Sequence, residues 1–243
     1  MQNELFDSTK QPVTRQRQRG QRYEAIIFDM DGLLVDSEVI WEEAEMALMS
    51  SRGHQFGPED RSEIVGLRVD EFLDHLRVQY QMPETLEVLI EELNNRMLAL
   101  IPIKVTPHPG AEELLDYVVR NQILRAIASN SPMSIIDQTV SAQGWNDIFQ
   151  VRCSGDDEAQ GKPAPDVYLT AARRLGVDPS RCLALEDSVN GARAVVAAGM
   201  TCFAVPDRSH SDASKFAEIT PYVFSDLHAV LAYLQEPDDE QGA

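Results

Sequence analysis

The chain has 243 residues, of which 43% are hydrophobic and 25% are charged, and its 21 Lys and Arg stand against 40 Asp and Glu for a formal net charge of −19. This composition is typical of a folded protein of one or two domains, and so acidic a surface repels the phosphate backbone of nucleic acids. No apolar run approaches the roughly 20 residues that cross a bilayer, and no signal-peptide core is visible. The three cysteines, Cys153, Cys182 and Cys202, have neither the number of a disulfide framework nor metal-ligand spacing. We therefore expect a cytoplasmic protein, a monomer by default, without nucleic-acid or membrane partners.

The first hundred residues predict a strand followed by a helical module. Residues 1–22 are rich in Gln and Arg without apolar periodicity, which predicts a disordered tail. Residues 23–28 form a short apolar, β-branched run before a Gly-containing loop, as expected for a buried parallel strand. Residues 37–103 are mostly helical in period, so they are predicted to form an α-helical module inserted between strands.

The remainder of the chain alternates between strand and helix patterns. Strands are predicted near residues 123–128, 147–152, 182–185 and 201–205, with helices near 111–121, 133–143, 165–175 and 188–198. Such alternation indicates an α/β fold with a parallel sheet and helices on both faces. The core is expected to comprise residues 23–36 and 104–235, with a short acidic tail at 236–243.

Polar residues follow several of the predicted strands, at the edge where ligands of such sheets bind. Residues 29–32 read Asp-Met-Asp-Gly, 129–131 read Ser-Asn-Ser, 161–163 read Gly-Lys-Pro, and 186–188 read Glu-Asp-Ser. Two carboxylates about 4 Å apart repel by roughly 4 kcal/mol at an effective dielectric constant near 20. A cluster of four therefore calls for protonation or a cation, and an all-oxygen ligand set favours Mg²⁺.

Carboxylates, Mg²⁺ and a lysine together favour phosphoryl transfer. Asp29 lies first in its loop and can attack phosphorus to form an aspartyl phosphate. Asp31 can protonate the leaving oxygen and later deprotonate water. Lys162 supplies a point charge suited to phosphate, and Ser129 supplies a hydroxyl.

Four segments resemble the signatures of the haloacid dehalogenase-like hydrolases, over about residues 23–235. They are residues 28–34 (Phe-Asp-Met-Asp-Gly-Leu-Leu), 128–131 (Ala-Ser-Asn-Ser), 161–165 (Gly-Lys-Pro-Ala-Pro) and 185–191 (Leu-Glu-Asp-Ser-Val-Asn-Gly). The subgroup that the chain resembles contains β-phosphoglucomutase and the small sugar-phosphate phosphatases. This resemblance implies a Rossmann-like core with an inserted helical cap domain.

The same resemblance assigns roles to single residues. Asp29 matches the nucleophile and Asp31 the acid/base, while Ser129 and Lys162 match phosphate-binding positions. The role of Asn130 is left open: it either contacts the phosphate or is an ordinary turn residue.

The resemblance also implies a Mg²⁺ site. Asp187 matches a ligand of the ion, together with the Asp29 side chain and the backbone carbonyl of Asp31. Glu186 matches a position that either binds the metal or supports the site. A dehalogenase of this family would need no Mg²⁺ and is not expected to carry an Asp at the second acidic position of this motif. Asp31 therefore argues against a dehalogenase.

The helical module carries finer information. The segment Asp-Ser-Glu-Val-Ile-Trp at 36–41 and the Gly-Leu-Arg at 66–68 look most like 2-deoxyglucose-6-phosphate and hexitol-phosphate phosphatases. Trp41 occupies the position where β-phosphoglucomutases carry a His that helps to hold the acid/base out of line. The resemblance implies that Arg68 contacts the substrate and that Trp41 either packs on a sugar ring or belongs to the core of the module.

Three functions remain open at this point. The sequence favours a Mg²⁺-dependent phosphatase that hydrolyses a small phosphorylated metabolite through an aspartyl phosphate, with a sugar phosphate as the favoured substrate. The alternative is a β-phosphoglucomutase-like isomerase with the same core residues. A non-catalytic binding protein on the same fold is the third reading, because fold alone does not fix function.

Overall fold

The computed structural model describes residues 19–62, 67–206 and 213–238. Its strands are β1 (Ala25–Phe28), β2 (Val35–Asp36), β3 (Thr106–Pro107), β4 (Leu124–Ser129), β5 (Val151–Ser154), β6 (Cys182–Glu186) and β7 (Thr201–Ala204). Its helices are α1 (Glu38–Ser50), α2 (Pro58–Ser62), α3 (Val69–Gln79), α4 (Leu86–Lys104), α5 (Ala111–Arg120), α6 (Met133–Ala142), α7 (Asp166–Leu175), α8 (Val189–Ala197), α9 (Ala213–Ala217) and α10 (Leu227–Gln235). None of the helices among the described residues combines the length and the apolar character that a membrane crossing requires.

Five strands form one parallel sheet in the order β5-β4-β1-β6-β7. In the centre, Ala25 of β1 lies opposite Leu124 of β4 on one side and Cys182 of β6 on the other. All four residues of β1 are fully buried, which explains its unbroken apolar sequence, since a parallel strand covered on both faces has no polar side.

Helices cover both faces of this sheet. Ile26 and Phe28 point into the cluster that includes the apolar faces of α5, α6 and α10. Ala25 and Ile27 point into a second cluster with α7 and α8. The predicted α/β class, with a parallel sheet between two helical layers, is confirmed.

A helical insertion, residues 38–104, lies between β2 and β3. These two short strands pair antiparallel, with Val35 opposite Pro107 and Asp36 opposite Thr106, so the insertion leaves and re-enters the core at one place. Helix α4 continues through Pro102 and ends at Lys104, one residue after the predicted end of the helical module. A proline this near the end of a helix removes only one backbone bond, and the N–H of Val105 still donates to the carbonyl of Ile101 at 3.2 Å.

Two local predictions differ from the structure. Residues 19–22, the last of the predicted tail, form a 3-10 turn because Arg19 lies 4.7 Å from the Tyr233 ring centre and pairs with Glu236; residues 1–18 lie outside the described part of the chain. The strand predicted at 147–152 lies at Val151–Ser154, since Phe149 packs instead in a turn against Trp145.

Candidate active site

The polar loops that follow the strands meet around one cavity of about 100 Å³. The core contributes Asp29, Asp31, Ser129, Asn130, Ser131, Lys162, Asp187 and Ser188 to its lining, and the insertion contributes Glu38, Trp41, Glu45, Arg61, Leu67, Val69 and Phe72. Residues that are far apart in sequence therefore share one small volume. The carboxyl ends of adjacent parallel strands place them there.

A buried lysine joins two carboxylates on the floor of the site. The Lys162 ammonium donates to Asp29 Oδ1 and to Glu186 Oε1, each at 2.6 Å. Tyr168, which is fully buried on α7, donates its hydroxyl to the same Glu186 oxygen at 2.5 Å. Asp29, Lys162 and Glu186 are at most 6% exposed, so these contacts fix the position of the Asp29 carboxylate.

The electrostatics of this cluster are set by burial. Burial raises the pKa of Asp29 to about 7, against the attraction of Lys162. The pKa of Asp187 is raised well above its ordinary value by burial and by the charges of Asp29 and Glu186. Burial opposes the charged form of Lys162, but the two carboxylates outweigh it and raise the pKa of the lysine. Among the described residues of this cluster, one ammonium faces three carboxyl groups. The negative charge that the ammonium leaves unbalanced favours the binding of a cation.

The donor set fits the predicted Mg²⁺. Carboxylate oxygens of Asp29, Glu186 and Asp187 lie within 4.8 Å of one another, and an all-oxygen set of this kind suits a small hard cation. Asp29 and Asp187 line the cavity, whereas Glu186 is fully buried behind it. Glu186 also accepts a hydrogen bond from the Ser188 hydroxyl at 3.1 Å. These surroundings favour the role in which Glu186 supports the metal site over the role in which it binds the metal itself.

Asp31 is held by four hydrogen-bond donors. The hydroxyls of Ser37 and Ser131 donate to its two carboxylate oxygens at 2.7 Å each. The Ser129 hydroxyl lies at 3.2 Å and the Trp41 indole N–H at 3.4 Å. Ser37 and Trp41 come from the entry to the insertion, whereas Ser129 ends β4 and Ser131 follows it, so Asp31 lies at the junction of core and insertion.

Asn130 orders the loop that carries the lysine. Its side-chain oxygen accepts the backbone N–H of Lys162 at 3.0 Å. The residue also lines the cavity, so its position is compatible with both roles left open for it in the sequence.

Arg68, for which the resemblance implied a substrate contact, lies beside Gly161 at the start of the lysine loop. It is not part of the cavity lining. It forms a double contact with Asp70, and its guanidinium donates to the carbonyls of Gly155 and Glu158 at 3.2 Å each. In this structure Arg68 joins the insertion to the core and makes no contribution to the pocket wall.

Sequence reasoning missed a charged group in the cavity wall. Arg61 of α2 donates through Nε to Glu45 at 2.9 Å and through Nη2 to Glu38 at 2.7 Å, both on α1. Burial raises the pKa of Glu45 to about 7, against the attraction of Arg61. One signal was available: Glu45 is four residues after Trp41 and three before Leu48, which places it on the buried apolar face of α1.

Two other omissions had weaker signals. The Ser37 and Ser131 hydroxyls stand in predicted motifs but carried no assigned role. Tyr168 looks like any aromatic on the apolar side of a helix, and only the structure shows that its hydroxyl meets Glu186.

Comparison with known proteins agrees with this geometry. A family model described as haloacid dehalogenase-like hydrolase matches residues 26–205, and the chain belongs to that family. Hexitol phosphatase B of Escherichia coli strain K12 is 37% identical over 185 residues, covering 75% of this chain and 83% of the relative.

Two solved structures are similar in fold. CbbY from Rhodobacter sphaeroides, in complex with phosphate, superposes with a TM-score of 0.79 at 28% identity, over 87% of this chain and 99% of that one. β-Phosphoglucomutase from Clostridium difficile gives 0.73 at 25% identity, over 84% and 92%. The predicted resemblance to the β-phosphoglucomutase-like subgroup and to hexitol-phosphate phosphatases is confirmed. The prediction of an enzyme of the phosphoric monoester hydrolase class is confirmed as well.

Proposed function

We propose that the protein is a Mg²⁺-dependent phosphatase that hydrolyses a small phosphorylated metabolite, a sugar phosphate, through a phosphoryl group carried by Asp29. The observation that carries this proposal is the meeting of Asp29, Asp31, Ser129, Lys162 and Asp187 around one cavity. Each has a chemical task in phosphoryl transfer, and a β-phosphoglucomutase-like isomerase would use the same five residues.

Asp29 is the nucleophile. Its buried carboxylate is oriented by Lys162 at 2.6 Å. An Asp29 oxygen forms a bond to phosphorus while the bond from phosphorus to the substrate oxygen breaks. Lys162 and the Ser129 hydroxyl bind the non-bridging oxygens, whose negative charge they stabilise.

Asp31 moves the protons. In the first step its carboxyl gives a proton to the departing alcohol oxygen, so the product leaves as a neutral alcohol. In the second step the resulting carboxylate takes a proton from a water molecule that attacks phosphorus, and the bond from Asp29 to phosphorus breaks. Phosphate is released, Asp29 is regenerated as a carboxylate, and Asp31 is protonated again.

Asp29 and Asp187 would hold the Mg²⁺, together with the backbone carbonyl of Asp31, and Glu186 would support the site from behind. When bound, the ion supplies positive charge that screens the nucleophile from the phosphate dianion and stabilises charge developing on the phosphoryl oxygens. The raised pKa of Asp29 is consistent with this need, because an added positive charge favours the ionised nucleophile.

The insertion side of the cavity carries aromatic side chains, which supports a sugar as the substrate. Trp41 and Phe72 meet edge to face with ring centres 6.4 Å apart and both line the cavity. Aromatic surfaces of this kind pack well against the C–H faces of a sugar. The name of the E. coli relative, hexitol phosphatase B, supports the same substrate class.

The test is turnover of p-nitrophenyl phosphate in the presence of Mg²⁺ by the wild type and by Asp29→Asn. We expect the substitution to remove nearly all turnover, and EDTA to silence the wild type until Mg²⁺ is restored. Asp116→Asn, an exposed aspartate paired with Arg120 on α5, is the matched control and should behave as wild type. Undiminished turnover by Asp29→Asn would remove Asp29 from the mechanism.

A second assay separates the phosphatase from the mutase. The enzyme is given β-glucose 1-phosphate with a bisphosphate primer, and glucose 6-phosphate and free phosphate are measured together. A phosphatase releases free phosphate faster; faster formation of glucose 6-phosphate would favour the isomerase.

A further inference from the structure

Arg68 joins the insertion to the core at a point that the paired strands β2 and β3 do not supply. Its guanidinium donates to the backbone carbonyls of Gly155 and Glu158, which follow β5, at 3.2 Å each. These two partners lie 87 and 90 residues away along the chain. The arginine side chain is only 15% exposed, so little water competes for these hydrogen bonds, and a low local dielectric strengthens them.

The insertion itself orients Arg68 for this contact. Asp70 accepts hydrogen bonds from Nε and Nη2 of the guanidinium at 2.7 and 2.5 Å. This two-point contact occupies one side of the planar guanidinium and leaves the Nη1 group for the two carbonyls of the core. Asp70 lies in the first turn of α3, where its carboxylate also accepts the backbone N–H of Glu71 at 2.9 Å. The direction of the arginine is therefore fixed from within the insertion.

The core side of the contact is closely packed around two glycines. A Cβ on Gly161 would lie 3.2 Å from Cδ of Arg68 and 3.2 Å from Oδ1 of Asn130. A Cβ on Gly155 would lie 2.8 Å from the same Asn130 oxygen. Neither glycine has a positive φ, so close packing, rather than backbone conformation, favours glycine at both positions. Gly161 directly precedes Lys162, whose backbone N–H donates to Asn130, so Arg68 packs on the loop that carries the catalytic lysine.

The chain neighbours of Arg68 form part of the cavity wall. Leu67 and Val69 both line the cavity, whereas Arg68 does not. Phe72, one turn further along α3, lines it as well and meets Trp41 edge to face. Arg68 therefore contacts the core loops while the residues on either side of it contribute to the cavity. A contact that fixes Arg68 also fixes this part of the wall.

Arg68 also balances carboxylates that belong to the two sides of the contact. Asp70 is on the insertion, and Asp156 follows β5 in the core. Burial and the charge of Asp70 raise the pKa of Asp156, and the positive charge of Arg68 opposes this effect. Without that positive charge the two carboxylates would repel each other across the contact. The same arginine thus supplies the attraction between the two sides and offsets the repulsion between their acids.

We propose that Arg68 is a positioning residue: it latches the insertion onto the loops at Gly155 and Gly161 and thereby keeps the cavity assembled, without contacting the substrate. Its effect on turnover rests on the proposed phosphatase activity, whereas the latch itself is a property of the protein without substrate. A residue that only begins helix α3 would leave the contact between insertion and core unchanged when it is replaced. A residue that contacts the substrate would matter only for substrates with a group that it binds.

The latch is tested by the accessibility of Trp41 in the protein without substrate. Trp41 lines the cavity and is 8% exposed. Trp145 is the second of the two tryptophans, so Trp145→Phe makes Trp41 the sole reporter. In this background we expect Arg68→Gln to raise the Stern–Volmer constant for quenching by acrylamide at least about twofold, because it removes two charge-assisted hydrogen bonds from the closed state. Adding Asp70→Asn to Arg68→Gln should lower the constant again, since it removes one of the repelling charges.

Control variants separate opening of the cavity from other effects. Arg77→Gln is the same change further along α3, where Arg77 pairs with Asp74 of the same helix, and it should leave the quenching of Trp41 unchanged. Trp41→Phe leaves Trp145, which is 4% exposed in the core, and the quenching of Trp145 should not respond to Arg68→Gln in a folded protein. Arg68→Lys keeps the charge but lacks the planar fork of donors. It should give a smaller rise, and it keeps the test informative if Arg68→Gln does not fold.

Turnover then distinguishes the latch from a substrate contact. The leaving group of p-nitrophenyl phosphate has no further hydroxyl, whereas that of sorbitol 6-phosphate has several. We expect Arg68→Gln to lower kcat/KM on both esters by a similar factor, on the order of tenfold, with most of the loss in KM, because substrate binding must then close the cavity.

The outcomes distinguish this inference from the proposed function. Unchanged quenching of Trp41 in both Arg68→Gln and Arg68→Lys overturns the latch, whatever the turnover. A loss of kcat/KM confined to sorbitol 6-phosphate also overturns it and assigns Arg68 to the substrate. Absence of turnover on every ester by the wild type refutes the proposed function, and the quenching of Trp41 alone then decides whether Arg68 is a latch.

Discussion

Lys162 makes the most demanding prediction about the site. Replacing it with Met keeps the length of the side chain and removes the charge. The substitution leaves Asp29 and Glu186 facing each other across the space that the ammonium occupied, with Asp187 nearby. We expect a loss of turnover in the presence of Mg²⁺ and a loss of stability in the metal-free protein.

The size of the stability effect follows from the geometry. Two contacts of 2.6 Å each correspond to a Coulomb attraction of about 6 kcal/mol at an effective dielectric constant of 20. Desolvation of the buried ammonium cancels much of this, and measured losses on removing one partner of a buried ion pair are about 3–5 kcal/mol. Because the pKa of Asp29 is raised to about 7, the full loss is expected near pH 8, where Asp29 is ionised.

The assay is urea unfolding at pH 8 in EDTA for the wild type, Lys162→Met and Lys104→Met. Lys104 is an exposed lysine that pairs with Glu43 on the surface of the insertion, and loss of such a pair costs about 0–1 kcal/mol. Added Mg²⁺ should reduce the penalty of Lys162→Met, since it provides another positive charge. If Lys162→Met unfolds within 1 kcal/mol of the wild type under these conditions, the lysine does not neutralise the carboxylate cluster and the electrostatic description of the site is wrong.

Three further predictions concern the same cluster and its surroundings. The pKa values of Asp29 and Glu45 are both raised to about 7 by burial, so the folded protein binds more protons than the unfolded chain between about pH 5 and 7. In EDTA its free energy of unfolding should therefore fall as the pH rises from about 5 to 7. A melting temperature that rises over this window would contradict these pKa shifts. Tyr168→Phe removes the donor at 2.5 Å from Glu186 and should cost about 1–3 kcal/mol by urea unfolding and lower kcat, whereas wild-type values of both would show that the contact is dispensable. Gly191→Ala would place a Cβ 1.9 Å from the Glu186 carboxylate, so we expect at least about a tenfold drop in kcat on p-nitrophenyl phosphate, and an unchanged kcat would show that Glu186 can move without consequence.

Much of the site could be predicted from sequence because of the topology of a parallel sheet. Every loop after a strand opens at the same edge, so a polar residue directly after a buried apolar run is placed near the others without any knowledge of distances. Asp29 after β1 and Ser129 at the end of β4 are examples. The same logic located Lys162 and Asp187, which both line the cavity.

Three of the residues that sequence analysis missed, Glu45, Arg61 and Tyr168, lie on helices, where side-chain direction depends on packing. Tyr168 has the spacing of an ordinary core aromatic, and its hydroxyl becomes significant only because α7 places it under Glu186. Arg61 lies on a helix of five residues, too short for its period to show an inward face. Arg68 was assigned by resemblance, and its partners in the core, the carbonyls of Gly155 and Glu158, have no sequence signature.

The most direct test of the central claim is to identify the side chain that carries the phosphoryl group during turnover. The enzyme is mixed with a ³²P-labelled phosphate ester and Mg²⁺, quenched in acid within one turnover, digested and mapped by mass spectrometry. We predict the label on the peptide that contains Asp29, at the Asp29 carboxyl, and none in Asp29→Asn. Label on any other side chain, or continued turnover by Asp29→Asn, would contradict the account.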